Sequence, residues 1–255
     1  MNRRDLIVWS GSAFCAKLTL AQAAGLPVSG YERGDPTADS DPAYYPSAFL
    51  ESLQKSNDKK IIPDPIPDFP KRLLELAITF KGVNRWDNSW TKIRDMLAVF
   101  GCPFDQVVNG KKQYTAFCAA GISYCACTLY AKTTELGDLQ SAINVVDFHS
   151  FWPSPAVWKM VQVANAKGRW KAAGPGVLPR AGWIVCYDWT ATANLDAVDH
   201  CGVVIDADKS TLHTLEFNTS GSAGGSQRNG GVVLTRERSY NSLVKGFIVT
   251  DSMDK

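Results

Sequence analysis

Three short stretches carry side chains that could do covalent chemistry together. Cys118 stands in "QYTAFCAAGISYCA", residues 113 to 126; His200 stands in "VDHCGVVID"; Glu216 and Asn218 stand in "TLHTLEFNTS". A thiol, an imidazole and a polar group able to orient the imidazole are the parts of a nucleophilic site. Taken singly, Cys118 is equally readable as a packed thiol, half of a disulfide, a metal ligand or a nucleophile. Thr115 precedes it by three residues and could cap the first turn of a helix. That would put Cys118 at the positive end of the helix dipole, where a thiolate is favoured. Ala116, Ala119, Ala120 and Gly121 leave room around the sulfur, while Cys125 and Cys127 read as small core residues deeper in the helix.

Alternation along a strand puts His200, Gly202 and Val204 on one face. Gly202 would let a helix or a substrate come close above the histidine. The same alternation points Glu216 and Asn218 one way and His213 the other. A polar pair beside a strand bearing histidine suits the orientation of an imidazole, although a solvated strand face is the plainer reading of such a pair.

The elements that must position these residues fall in two blocks. "KRLLELAITF" and "SWTKIRDMLAVFG" have helical spacing, the second with Ser89 as cap and Gly101 as stop. Phe117 to Tyr130 predicts a third helix, with Ile122, Cys125, Ala126 and Leu129 on one face. "SPAVWKMVQVANAKG" predicts a fourth, with proline in its first turn. After Pro179 the texture is strand-like, in "GWIVCYDW", "HCGVVIDAD", "TLHTLEFNTS", "GVVLTRER" and "VKGFIVTD". Helices followed by an antiparallel sheet predict an α+β domain over residues 71–252.

Upstream, eight of the thirteen prolines fall between residues 27 and 70, so residues 25–70 read as a proline-rich arm or linker. Residues 1–24 read as a signal peptide. Arg3-Arg4 are followed by a short apolar run that Lys17 interrupts, a layout similar to a twin-arginine export signal. Stable membrane insertion is not expected, and the location implied is periplasmic or extracellular. Export permits disulfides. Of the seven cysteines, Cys15 belongs to the signal. Cys186 and Cys201 flank a hairpin-like connection and are expected to be close, with a disulfide allowed but not required.

The net charge of +2 and the 20% charged residues are too mild to argue for nucleic acid, and no basic run with interleaved aromatics occurs. Cys125-x-Cys127 is not a zinc-knuckle spacing and no matching pair follows, so neither a metal nor another cofactor is expected.

The order of "FCAAGISYC", "PRAGWIVCYDW", "DHCGVVID", "LEFNTSG", "NGGVVLTRERS" and "KGFI" resembles the CHAP family of cysteine amidases and peptidases, relatives of the NlpC-type enzymes. The resemblance reaches back to "AITFKGVNRWDNS" and covers about residues 71 to 250. It implies a papain-like fold, Cys118 as nucleophile, His200 as base and Glu216 as the group orienting it, with Asn218 as a second polar support. It also implies peptidoglycan as the substrate and a monomer. Trp183 replaces the family's usual aspartate, Asp199 replaces a glycine, and the interval from Cys118 to His200 is long. Gln113 is a candidate second oxyanion donor, though a surface glutamine is the plainer reading. Trp152 and Trp183 are candidates for lining a substrate groove, and His149 reads as a loop residue. The alternatives are an enzyme of the same fold acting on another amide, and a wall-binding module without catalysis.

Overall fold

A computed structural model describes residues 66–108, 111–133, 139, 153–189, 197–221 and 230–251. The signal-like segment, nearly all of the proline-rich arm, His149, Trp152 and residues 222–229 lie outside the described residues.

Helix α1, Phe69–Ile78, begins with Pro70 in its first turn, where the missing N–H costs nothing, and buries Phe69, Leu73 and Ala77 at spacings of one turn. Helix α2, Trp90–Ala98, buries Ile93, Met96 and Leu97. Ser89 occupies its N-cap position but makes no side-chain capping bond. Its hydroxyl is engaged instead by Asn84 and Asp87, tightening the preceding loop. A two-stranded antiparallel hairpin follows, β1 (Asp105–Val108) and β2 (Lys111–Tyr114); short, charged strands of this kind have no apolar alternation to announce them.

Helix α3, Cys118–Thr133, is central. Ala119, Ala120, Ile122, Ser123, Cys125, Ala126 and Cys127 are all buried, so it is covered nearly all round rather than on the single face its pattern predicted. Ser123 shows how a polar group survives there: its hydroxyl donates to the Ser154 carbonyl and accepts from the Ser154 N–H, both at 3.0 Å. Helix α4, Val157–Ala166, starts two residues after Pro155, so that proline lies before the helix and not in its first turn.

Strands β3 (Trp170–Ala172), β4 (Ile184–Tyr187), β5 (His200–Ala207), β6 (Thr211–Thr219), β7 (Val232–Ser239) and β8 (Val244–Ile248) form one antiparallel sheet in the order β3-β8-β4-β5-β6-β7. Only β3, a short edge strand, lacks a counterpart in the sequence pattern. The chain is therefore an α+β protein. Alternation gives the sheet two apolar faces. One packs on the helices through Ile184, Cys186, Cys201, Val203, Leu215 and Phe217; the other carries Trp183, Val185, Tyr187, Val204, Leu212 and Phe247. Each fully buried side chain of this size contributes roughly 1.5–3 kcal/mol.

Two close approaches fix α3 and the site strands. A Cβ on Gly121 would lie 2.3 Å from the Phe217 ring, so only glycine lets α3 settle onto β6. A Cβ on Gly202 would lie 2.8 Å from Cγ of Glu216, so this glycine makes room for the carboxylate side chain rather than for a helix above the histidine. Among the described residues, no helix is long and apolar enough to cross a membrane.

Candidate active site

Cys118 is the first residue of α3 and His200 the first residue of β5. Both therefore lie at element ends, where side chains from different layers can meet. The α3 N-terminus presents main-chain N–H groups that have no partner within the helix. Across the sheet, Tyr187 pairs with His200 and Gly202 pairs with Glu216, so the imidazole and the carboxylate share a face on adjacent strands.

That geometry is realised. His200 Nε2 lies 3.0 Å from Glu216 Oε2, and both side chains are fully buried. The other ring nitrogen, Nδ1, is buried with no hydrogen-bond partner at full hydrogen-bonding geometry. Cys118 interacts with the same imidazole strongly enough to shift both groups. With Nε2 committed to Glu216, Nδ1 is the nitrogen left to exchange a proton with the thiol. Tyr187 and Trp189 stack on each other at 4.9 Å, and their rings lie 5.8 and 6.0 Å from the imidazole, screening it from water.

The charges are set by identifiable neighbours. For the Cys118 thiol the hydrogen bond with Cys201 is the largest influence and burial opposes it; His200 and the Ala119 N–H add their support, and the thiol falls well below its ordinary range. Burial alone would depress His200, but hydrogen bonds and charge from Cys118 and Glu216 outweigh it and raise the imidazole to about 9. Burial would raise Glu216, yet hydrogen bonds from Arg238 and His200 bring it down to about 2. The constellation is therefore a thiolate, an imidazolium and a carboxylate over the neutral range.

This has a measurable consequence. The Cys118 alkylation rate with iodoacetamide should fall only a few-fold between pH 8 and pH 6, whereas a thiol of ordinary pKa loses roughly 80-fold over that interval. The loss of reaction in Cys118→Ala, followed by peptide mapping, assigns the rate. An ordinary thiol profile at Cys118 would overturn the ion-pair reading.

Asn218 does not support the imidazole. Its Oδ1 accepts from Arg85 Nη2 at 3.0 Å, and the same nitrogen donates to the Thr115 carbonyl at 2.8 Å. The physical reason is local: the register shifts between Glu216 and Thr219, and Asn218 adopts a left-handed φ of 61°, so period-two alternation fails there. Arg85 instead ties β6 to the segment just before Cys118, with its guanidinium 5.0 Å from the Tyr114 ring and 5.4 Å from that of Phe117. Trp183 is a buried core residue packed against Phe247, with Lys171 over its ring, and does not line a groove. Gln113 pairs with Gln106 in the β1–β2 hairpin through the main chain. The His213 side chain is half-exposed, beside Asp206 and Glu237 and away from His200 and Glu216. Cys186 and Cys201 are direct cross-strand neighbours and both are free thiols.

Three members of the site escaped the sequence reading. Cys201 reaches Cys118 from the helix-packed face of β5, while its chain neighbour His200 faces the other way. Tyr187 looked like ordinary strand apolarity. Arg238, at the end of a charged strand, had the pattern of a solvated face, yet its Nε donates to Glu216 Oε1 at 2.8 Å and its Nη2 to Glu216 Oε2.

No family model matches the chain, and no curated protein matches it. A solved structure described as "The crystal structure of Ly7917" aligns at 18% identity over 71% of this chain and 62% of that one, with a TM-score of 0.35. The alignment thus spans less than two thirds of that protein's length.

Proposed function

We propose that this protein is an exported cysteine amidase or endopeptidase of CHAP type, with a papain-like fold, that cleaves an amide bond of peptidoglycan. The observation that carries the reading is the buried His200–Glu216 hydrogen bond of 3.0 Å beside a thiol at a helix N-terminus. A binding module has no use for a buried imidazolium next to a thiolate.

The chemistry follows from the charges. The Cys118 thiolate attacks the amide carbonyl carbon, and the oxygen gains the electron pair of the C=O bond. The main-chain N–H of Cys118 is placed to donate to that oxyanion. On collapse, the C–N bond breaks and the imidazolium of His200 protonates the departing amine, leaving a thioester on Cys118 and a neutral imidazole. Water then loses a proton to His200 as it attacks the thioester. The carboxylic acid leaves and the thiolate–imidazolium pair is restored.

Purified protein incubated with whole peptidoglycan should release soluble fragments. Mass spectrometry of the products distinguishes cleavage between muramic acid and L-alanine from cleavage within the peptide stem or cross-bridge. No release at any pH between the Cys118 and His200 titrations, from protein whose Cys118 alkylates as described, would redirect the proposal to another amide.

A further inference from the structure

Glu216 is held on both of its oxygens by groups other than His200. On Oε1, Arg238 Nε donates at 2.8 Å and the Thr214 hydroxyl donates at 2.9 Å. On Oε2, the acceptor for His200, Arg238 Nη2 donates as well. The guanidinium is itself fixed. Its Nη2 also lies 3.2 Å from the Thr219 hydroxyl, and its carbon sits 5.2 Å from the Trp189 ring and 5.9 Å from that of Tyr187. These are the two rings that flank the imidazole. A fork of parallel N–H groups on a carboxylate sets the carboxylate's plane as well as its charge.

We propose that Arg238 is a positioning residue for the Cys118 site: its guanidinium clamps the Glu216 carboxylate as an anion in one orientation, which aims Nε2 of His200 and so presents Nδ1 to the thiol. The relay runs Arg238, Glu216, His200, Cys118, with the stacked Tyr187 and Trp189 as a lid over its middle. The proposal rests on Cys118 being the nucleophile. It extends that reading to a residue two strands away, on a face that the helices do not cover.

The groups acting on Glu216 are His200 from β5, Arg238 and Arg236 from β7, Tyr187 from β4 and the Cys201 thiol. Arg238 supplies the largest influence holding the carboxyl ionised against its burial. Without it, Glu216 protonates in the mildly acidic range and the imidazolium loses its anchor as pH falls. While Glu216 is still charged, loss of the neighbouring cation lets the imidazolium persist to higher pH. Lysine keeps the charge but not the fork, so the two substitutions separate orientation from charge.

The test compares parent, Arg238→Gln and Arg238→Lys by two readouts independent of peptidoglycan: the Cys118 alkylation rate at pH 5 and pH 8, and the His200 titration by imidazole NMR. For Arg238→Gln, alkylation at pH 5 relative to pH 8 should fall by about 10- to 100-fold, the scale of a lost charged hydrogen bond, and the His200 titration should move above the parental value of about 9. Arg238→Lys should show a smaller loss at pH 5 and an unmoved titration. A Gln variant whose rates fall evenly at both pH values, with His200 unmoved, would show that Arg238 serves only as scaffold and would overturn the proposal. If circular dichroism shows that Arg238→Gln does not fold, Arg238→Lys decides: a loss confined to pH 5 supports the clamp, and parental rates at both pH values sink it. A parent that releases no peptidoglycan fragments, beside variants that shift as described, would leave the clamp standing and the substrate reading refuted.

Discussion

Cys118→Ala is expected to abolish release of soluble fragments from peptidoglycan, lowering the rate by at least about 10⁴-fold, because loss of the nucleophile removes a whole mechanistic step. His200→Ala should be comparable, since the thiolate loses its counter-ion and the leaving amine loses its acid. The two losses should not add when combined, because the residues act in the same step. Folding should survive in Cys118→Ala. The side chain is small, it lies at a helix end, and alanine suits the first turn of α3. Circular dichroism and unfolding midpoints check this beside the assay. Parental release from a folded Cys118→Ala protein would mean that the nucleophile is elsewhere.

Glu216→Gln should have the second largest effect, and it should strike stability as well as activity. Glu216 is fully buried, Arg238 is only 11% exposed at its side chain, and His200 is fully buried. Removing the carboxylate leaves a guanidinium and an imidazole facing a neutral amide. Breaking a buried pair from one side costs about 3–5 kcal/mol. The pH dependence has a definite sign. Glu216 is depressed to about 2, so its contribution is present above its ordinary pKa of about 4.3 and is lost as pH falls through 2. His200 is raised to about 9, so its contribution is complete below about 6.5 and is lost as pH rises through 9. The penalty of Glu216→Gln should therefore be greatest between about pH 4.3 and 6.5 and should shrink above pH 9. Denaturant unfolding of parent and variant across that range measures it. A penalty that is flat from pH 4 to pH 10 would show that the carboxylate is not linked to the imidazole. Hydrolysis by the variant should lose its alkaline activity earlier, because one of the two groups that hold His200 protonated has gone. Asn218 is not expected to replace the carboxylate, since its Oδ1 accepts from Arg85.

The sequence by itself determined the α+β class and, among the described residues, the four helices and five of the six strands of the main sheet. Apolar periodicity is a local property, and burial on one or two faces writes it directly into the chain. It also singled out three members of the candidate site, a cysteine ahead of small residues and a histidine and a glutamate on strands of matching parity, while their roles came from the family resemblance. Only the tertiary structure decided which polar groups share a hydrogen bond. Asn218 fell to Arg85 because one left-handed residue and a shift of register broke an alternation that the sequence cannot show breaking. Gly202 proved to be space for Glu216, a fact that resides in the pairing of β5 with β6. Cys201 and His200 are neighbours in the chain on opposite faces of a strand, yet both reach Cys118, because the α3 N-terminus meets the sheet at the end of β5. Arg238 was invisible for the same reason. A charged residue near a strand end is solvated in most chains, and what buries this one is the meeting of Glu216 with two stacked aromatic rings, Tyr187 at the end of β4, three places away from β7 in the sheet, and Trp189 just beyond it.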